Sequence, residues 1–266
     1  MELIRPATNR GKFYPYEAGD IRRMIEHWNE ILDQVPDYPA HLKPVAIISP
    51  HAGYVYSGFT ANAAHRLLGN TKPQRVLVVG PSHHVYFKGM SLGPFTAYET
   101  PFGALPGALD LKKILEAVAP FTYEPQAHHL EHSTETQFPF IAYYDKSSIL
   151  ELIYGDTPYT ALVPVIETAL RTPGTAVVIS TDLSHYYDQD KANRLDAACL
   201  EGVRLGDLSL LASPCEACGK IGLMAMVEAA KRLGLKPHLI DYRTSGDITG
   251  DYSAVVGYMS AAYTVE

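Results

Sequence analysis

Three segments of the chain share one layout: a run of apolar, mostly β-branched residues, a turn of small residues, and then histidine. They are PVAIISPHAGY (44–54), RVLVVGPSHHVY (75–86) and TAVVISTDLSHYY (175–187). Runs that are apolar throughout, without alternation, are typical of strands buried on both faces, which occur in parallel or mixed sheets covered by helices. This layout constrains the fold to a sheet with two covered faces.

Strands and helices alternate along the rest of the sequence. Apolar runs predict further strands over 148–156, 236–247 and 252–263. Apolar residues at three- and four-residue spacing predict helices over 19–35, 57–69, 109–119, 158–171 and 218–234. The alternation favours an α/β fold with a mostly buried mixed or parallel sheet flanked by helices. Without a linker, a charge run or a repeat, we expect one domain over residues 1–266.

The composition excludes several classes of protein. A net charge of -7 without a Lys/Arg cluster argues against binding to nucleic acid or to an anionic membrane surface, because both require a basic face. No run reaches the ~20 apolar residues that a membrane helix needs, and the N-terminus lacks a secretory signal. We therefore expect a soluble, cytoplasmic protein.

The three cysteines are too few for a disulfide framework, and this number suits a reducing compartment. Cys215 and Cys218 form a C-x-x-C motif, but no second pair exists that could complete a zinc site. We interpret the motif as structural.

The histidines of the shared layout lie where an α/β sheet binds its ligands. In open α/β sheets the ligand occupies the crevice beyond the carboxyl ends of the strands, so residues that follow several strands meet there. The residues in this position are His51, His83, His84, Asp182 and His185, with Asp156 and Asp247 after two other strands. Each of them alone is more simply interpreted as a polar loop residue, but the threefold repetition favours a shared site.

Imidazole is the commonest metal ligand in proteins and the group best suited to proton transfer near neutral pH. Two imidazoles with one carboxylate and open positions are typical of non-haem Fe(II) sites. Hydrolysis by zinc-activated water uses the same imidazoles, and the residues alone do not exclude it.

A second polar cluster lies in AHHLEHSTETQFPF (127–140). Residues four apart share a face of a helix, so a helix here would pair His128 with His132 and Glu131 with Glu135. In a functional interpretation, Glu131 and His132 act as acid–base groups or orient a metal ligand. In the alternative, the segment is only a solvated helix start, capped by Ser133 or Thr134.

Two aromatic groups near the strand ends are candidates for substrate contacts. Tyr54 and Tyr56 lie close to His51 in sequence and could line a pocket. Adjacent side chains of an extended segment point to opposite sides, so only one of His83 and His84 faces the crevice as a metal ligand. We predict Tyr54 and His84 to contact the substrate.

Seven blocks of the sequence resemble, in order and spacing, the Memo family. They are RPATNRGKFYP, SPHAGYVYSG, VGPSHH, EHSTETQFPF, STDLSHY, CGKIG and SGDITGD…VVGY, and they span about Arg5 to Tyr263. Within the family, the chain is most similar to the prokaryotic branch known as AmmeMemoRadiSam system protein B. This family is similar in fold to the class III extradiol dioxygenases, which open catechol rings at a site of two histidines, one carboxylate and Fe(II).

The resemblance implies a role for each matched residue. His51 and His83 become metal ligands, and His185, oriented by Asp182, takes the position of the dioxygenases' acid–base histidine. Glu131 and His132 lie nearby and are catalytic candidates.

The third metal ligand is where this chain departs from its animal relatives. Animal Memo proteins supply a cysteine that aligns near Ile248, which cannot bind a metal. The neighbouring Asp247 would restore a carboxylate if the SGDITGD loop shifts by one residue, and it is the predicted third ligand. The alternative is weaker binding through His51, His83 and His185.

The resemblance also implies a function and a cofactor. We expect Fe(II), with copper or zinc as alternatives, and an extradiol-type reaction on a small aromatic substrate. The competing hypothesis is a non-catalytic protein that binds a metal, a peptide or a partner in the same cleft, as the animal proteins are described to do. The gene neighbourhood of the prokaryotic branch implies a radical-SAM protein as a partner.

Overall fold

An eight-stranded mixed sheet forms the centre of the protein, which a computed structural model describes over residues 3–265. The strands are β1 (Ile4–Arg5), β2 (Ala46–Ser49), β3 (Arg75–Pro81), β4 (Met90–Leu92), β5 (Ala97–Tyr98), β6 (Leu105–Pro106), β7 (Ser148–Tyr154), β8 (Thr175–Ser180), β9 (His185–Tyr187), β10 (Lys236–Thr244) and β11 (Val255–Thr264). The main sheet has the order β10-β11-β2-β8-β3-β7-β4, and β9 pairs with β11. A small second sheet has the order β1-β5-β6.

Helices cover both faces of the main sheet. They are α1 (Ala18–Leu32), α2 (Tyr54–Thr71), α3 (Leu109–Glu116), α4 (Pro125–His129), α5 (His132–Glu135), α6 (Phe138–Tyr144), α7 (Tyr159–Arg171), α8 (Gln189–Leu205), α9 (Leu208–Ala212), α10 (Lys220–Leu233) and α11 (Gly246–Thr249). Within residues 3–265, no helix is long and apolar enough to cross a membrane. The α/β fold predicted from the sequence is confirmed.

The continuous apolar runs are explained by the two covered faces. In β3, Leu77 and Val79 pack into the core beneath α7 and α10, whereas Val76 and Val78 pack into the core beneath α2 and α6. All four side chains are fully buried, and the burial of each stabilises the fold by about 1.5–3 kcal/mol relative to an exposed position. A strand in this environment cannot alternate polar with apolar residues.

The four central strands, β2, β8, β3 and β7, run parallel, so their carboxyl ends meet at one edge of the sheet. The outer pairings of β11 with β2, β10 with β11 and β4 with β7 are antiparallel. The parallel core therefore places the residues that follow β2, β3 and β8 side by side.

Two elements depart from the sequence expectations. The strand expected at the start of 175–187 is β8, but His185 after the turn lies in a further strand, β9, and the sequence did not predict the helix α8. Cys199 in α8 is joined by a disulfide to Cys215, and Cys218 is free. Three cysteines are too few for a framework of several disulfides, but two of them form this single bond.

Candidate metal centre

The residues that follow the parallel strands do come together. His51 lies just after β2, His83 just after β3, and the centroids of their rings are 5.2 Å apart, edge to face. Asp182 follows β8, and its carboxylate reaches across to the backbone of His51. The parallel topology alone produces this convergence.

A third imidazole joins them from the segment between α4 and α6. His132 begins α5, and its ring stacks on that of His83 at 4.6 Å and meets that of His51 at 5.5 Å. One ring nitrogen from each of His51, His83 and His132 lies within 4.8 Å of the other two. We call these three residues the histidine cluster.

A close backbone approach holds α5 against the end of β3. A Cβ atom on Gly80 would lie 2.5 Å from the Oγ atom of Ser133 and 2.9 Å from Thr134. Glycine is therefore required for β3 to reach the segment that carries His132. The Ser133 hydroxyl completes the contact by donating to the carbonyl of Pro81, at 2.8 Å.

Hydrogen bonds decide which nitrogen of His51 carries the lone pair. The Ser180 hydroxyl donates its one hydrogen to the carbonyl of Ser133, so it can only accept from Nδ1 of His51, at 3.0 Å. With Nδ1 protonated, Nε2 carries the lone pair. The Sγ atom of Cys218 lies 3.2 Å from this Nε2, where a protonated thiol donates to it. Burial, followed by the charge of Asp182, raises the pKa of Cys218 to about 12 and keeps the thiol protonated.

Glu131 orients His83 in the same way. Its Oε1 atom lies 2.8 Å from Nδ1 of His83, and its Oε2 atom accepts the His83 backbone N–H at 2.6 Å. Burial raises the pKa of the Glu131 carboxyl, but the His83 side chain and the backbone N–H groups of His83 and Ser133 outweigh it and lower the pKa to about 2. An ionised carboxylate on Nδ1 leaves Nε2 of His83 free to bind a metal.

Two of the three imidazoles are held neutral by their surroundings. Burial, followed by repulsion from the neighbouring imidazoles, lowers the pKa values of His51 and His132 to about 3. The Nδ1 atom of His132 is buried without a hydrogen-bond partner. A metal ion requires neutral histidine ligands; Nδ1 of His132 is free of a partner, whereas Nε2 of His51 has to exchange the Cys218 thiol for the ion.

The cluster borders a cavity of about 590 Å³. His132, Asp182 and His185 line its inner end, and aromatic side chains provide much of its wall: Phe13, Tyr56, Tyr186 and Tyr258. Such a mixture of aromatic walls and a few polar groups is typical of small-molecule sites. Tyr56 lines the cavity as expected, whereas Tyr54 is buried, stacks on Phe140 and donates its hydroxyl to the Thr136 carbonyl, at 2.7 Å.

Comparisons with known proteins identify the family of this chain. Residues 5–262 match the family described as Memo-like protein. The chain belongs to the Memo family. A MEMO1 family protein of Metallosphaera sedula is 33% identical over 98% of this chain and 99% of its own length. Similar proteins occur in Desulfurococcus amylolyticus (31% identical over 96% of this chain and 97% of its own) and Aquifex aeolicus (31%, over 99% and 100%).

In this Memo-family chain the predicted third ligand lies elsewhere. The carboxylate of Asp247 accepts the backbone N–H of Thr244 at 2.7 Å and is exposed. Among residues 3–265, the groups of potential ligands whose atoms lie within 4.8 Å of one another contain His132 and not Asp247. The structure thus brings an imidazole, rather than this carboxylate, to His51 and His83. The prediction of Asp247 rests on its place beside the position that aligns with the animal cysteine. An aligned position does not determine where the side chain points.

Asp182 and His185 also differ from the expected pairing. The Oδ1 atom of Asp182 accepts the backbone N–H groups of His51 and Ala52, at 2.8 and 3.3 Å. Burial raises the pKa of this carboxyl, and these N–H groups partly offset the effect. Asp182 therefore fixes the loop that carries His51, whereas His185 is half-buried in β9 and faces the cavity.

A single helix across 127–140, which would pair His128 with His132 and Glu131 with Glu135, does not form. The segment lies in three short helices, α4, α5 and α6, so residues four apart do not share a face. The cap of α5 is Glu131, which accepts from the backbone N–H of Ser133 at 2.9 Å, in place of a serine or threonine cap. His128 and Glu135 turn away from the cluster into a separate buried network, and His84 is exposed beside His132.

Proposed function

We propose that this protein is a metal-dependent enzyme of the non-haem Fe(II) dioxygenase kind, acting on a small aromatic substrate in the cavity beside the histidine cluster. The observation that carries the proposal is the convergence of three imidazole nitrogens within 4.8 Å of one another. A cleft with aromatic walls beside these nitrogens supports an aromatic substrate.

The residues fit a divalent transition-metal ion. His51 and His83 each have Nδ1 engaged by Ser180 and Glu131, which leaves Nε2 as the donor atom. His132 adds a buried nitrogen without a partner. When bound, Fe(II) supplies open coordination positions and the chemistry of O2, which no side chain can provide.

The chain's own residues supply orientation and proton transfer. Glu131 and Ser180 fix the tautomers and ring directions of two ligands, as hydrogen-bonded partners of metal-binding histidines commonly do. His185 faces the cavity, where its ring nitrogens can take a proton from a substrate hydroxyl and return it. Phe13, Tyr56 and Tyr258 line the cavity and offer aromatic surface to a bound substrate.

Hydrolysis by activated water is the second candidate, because a set of three imidazoles is also found in zinc enzymes. A non-catalytic metal- or partner-binding role in the same cleft is the third, and it predicts metal binding without turnover.

Metal analysis and oxygen consumption separate these functions. We expect protein prepared without oxygen to bind about one Fe(II) per chain and the His51→Ala/His83→Ala variant to lose it, whereas His129→Ala, an exposed control, keeps it. The iron-loaded protein should consume O2 with a catechol from a panel. His185→Gln should slow turnover by about 100-fold or more without loss of iron.

Full metal content in the double variant would contradict the site. An iron-loaded protein that consumes no O2 with any catechol would favour the binding role, and zinc-dependent ester or amide hydrolysis would favour the second candidate.

A further inference from the structure

We infer that His84, Glu131 and His132 form a second position for a divalent metal ion, on the solvent side of the histidine cluster. This position shares His132 with the cluster and so rests on the proposed function. Its ligand atoms lie within 4.8 Å of one another, and its composition of two histidines and one carboxylate suits Fe(II), Co(II) or Zn(II).

Glu131 has one acceptor position left for a cation. A carboxylate offers about four lone-pair positions. Three of them on Glu131 are taken: Oε1 by Nδ1 of His83 and the backbone N–H of Ser133, and Oε2 by the backbone N–H of His83. The carboxylate is fully buried, so the fourth position is not filled by bulk water.

His132 points an unpaired nitrogen toward the same place. Its two faces are covered, by Phe13 at 4.3 Å and by His83 at 4.6 Å, which holds the ring in its plane. Its Nδ1 atom lies 3.4 Å from Oε1 of Glu131 but makes no hydrogen bond. A buried nitrogen without a partner is rare in native proteins, and a cation bound to both groups removes that cost.

His84 is the third ligand of the outer position and lies on its solvent side. Its ring centroid is 5.7 Å from that of His132, and its side chain is exposed. Metal–nitrogen bonds of about 2.0–2.1 Å bring ligand atoms to about 3.4 Å from one another, and rotation of an exposed ring supplies that shift. His83 and His84 are exposed and His51 is buried, so an ion from solvent reaches these two adjacent imidazoles before it reaches His51.

A neutral imidazole has one lone pair, so His132 serves one ion at a time. The outer position is therefore an intake position that competes with the cluster for His132. The adjacent residues His83 and His84 therefore bind at different positions: His83 belongs to the histidine cluster, and His84 belongs to the outer position.

Binding of Co(II), followed by its visible absorption, tests the outer position without any turnover. In the His51→Ala/His83→Ala variant, we expect one Co(II) to bind about 100-fold more weakly than in the wild type. Adding His84→Ala should abolish this residual binding, whereas adding His129→Ala should leave it. Residual binding that is absent, or unaffected by His84→Ala, overturns the inference.

The wild-type background provides a second measurement if the double variant does not fold. There, His84→Ala should slow Co(II) uptake at least about fivefold, with the final affinity nearly unchanged. An unchanged uptake rate overturns the inference. Wild-type protein that binds no Co(II) or Fe(II) at all contradicts the proposed function, while binding that depends on the histidine cluster but in no respect on His84 contradicts the outer position alone.

Discussion

Two histidines four residues apart, His128 and His132, show how differently one segment of chain uses the same side chain. Both ring nitrogens of His128 are engaged, Nδ1 with Glu151 at 2.8 Å and Nε2 with the hydroxyl of Ser91 at 3.0 Å. His132 leaves Nδ1 without a partner and lies against two further imidazoles at the end of a cavity. His128 is therefore a structural member of the buried network, whereas His132 keeps a nitrogen for a ligand.

The carboxylates of the segment differ in the same way. Glu135 accepts from Arg5 at 3.0 Å and from the backbone N–H of Asn9 at 2.7 Å, deep in a network that also contains Glu151. Glu131 instead directs its oxygens at His83, in the cluster. The network also serves the site, because Arg5 donates to the backbone carbonyl of Glu131, at 2.8 Å.

Replacing His128 should produce the largest loss of stability with no loss of metal. In His128→Ala, Glu151 loses one of its buried partners, and removal of one partner of a buried pair typically costs about 3–5 kcal/mol. We expect a decrease in the free energy of unfolding of about 3 kcal/mol in urea, with an unchanged metal content at a temperature where the variant is folded.

His132→Ala is the matched comparison, and it should lose metal affinity with a much smaller loss of stability. If both variants lose stability and metal to the same extent, the division between a structural and a binding histidine does not hold.

Lowering the pH should destabilise the metal-free protein through His51 and His132, by less than the substitution His128→Ala does. The pKa values of His51 and His132 are about 3 in the folded chain, against an ordinary value of 6.5. Between these values the unfolded chain binds more protons than the folded one, so stability falls as the pH falls from 6.5 toward 3. The slope reaches at most about 1.4 kcal/mol per pH unit for each group.

Urea unfolding of the metal-free protein at about pH 7.5 and pH 5.5 measures this slope. We expect it to be shallower in His51→Gln and unchanged in His129→Ala. The same slope in His51→Gln and in the wild type would mean that the imidazole of His51 is not the group that resists protonation.

The sequence predicted those parts of the site that follow from strand order. His51, His83 and Asp182 each come directly after a buried parallel strand, and that pattern is visible without coordinates. Asp247 also follows a strand, β10, which runs in the same direction as β2 and ends at the same edge of the sheet, but its carboxylate turns back to accept the backbone N–H of Thr244, at 2.7 Å.

His132 could not be assigned as a cluster member because its direction depends on contacts that are distant in sequence. Arg5 and Gly80 fix the backbone around it, and the motifs that contain them do not show that they contact this segment. Pro139 does signal the start of α6, since proline favours the first turn of a helix, but no proline marks the break between α4 and α5. The missed helix α8 buries Ala192, Asp196 and Cys199, which give a weak apolar signal even at helical spacing.

We propose that His51, His83 and His132 hold one metal ion, and an anomalous-scattering map of crystals grown with Fe(II) or Co(II) would locate that ion. We expect one strong peak within bonding distance of a nitrogen from each of these histidines, with Asp247 turned away from it. A peak bound by Asp247 or His185 in place of His132, or no peak in the cleft, would contradict this ligand assignment.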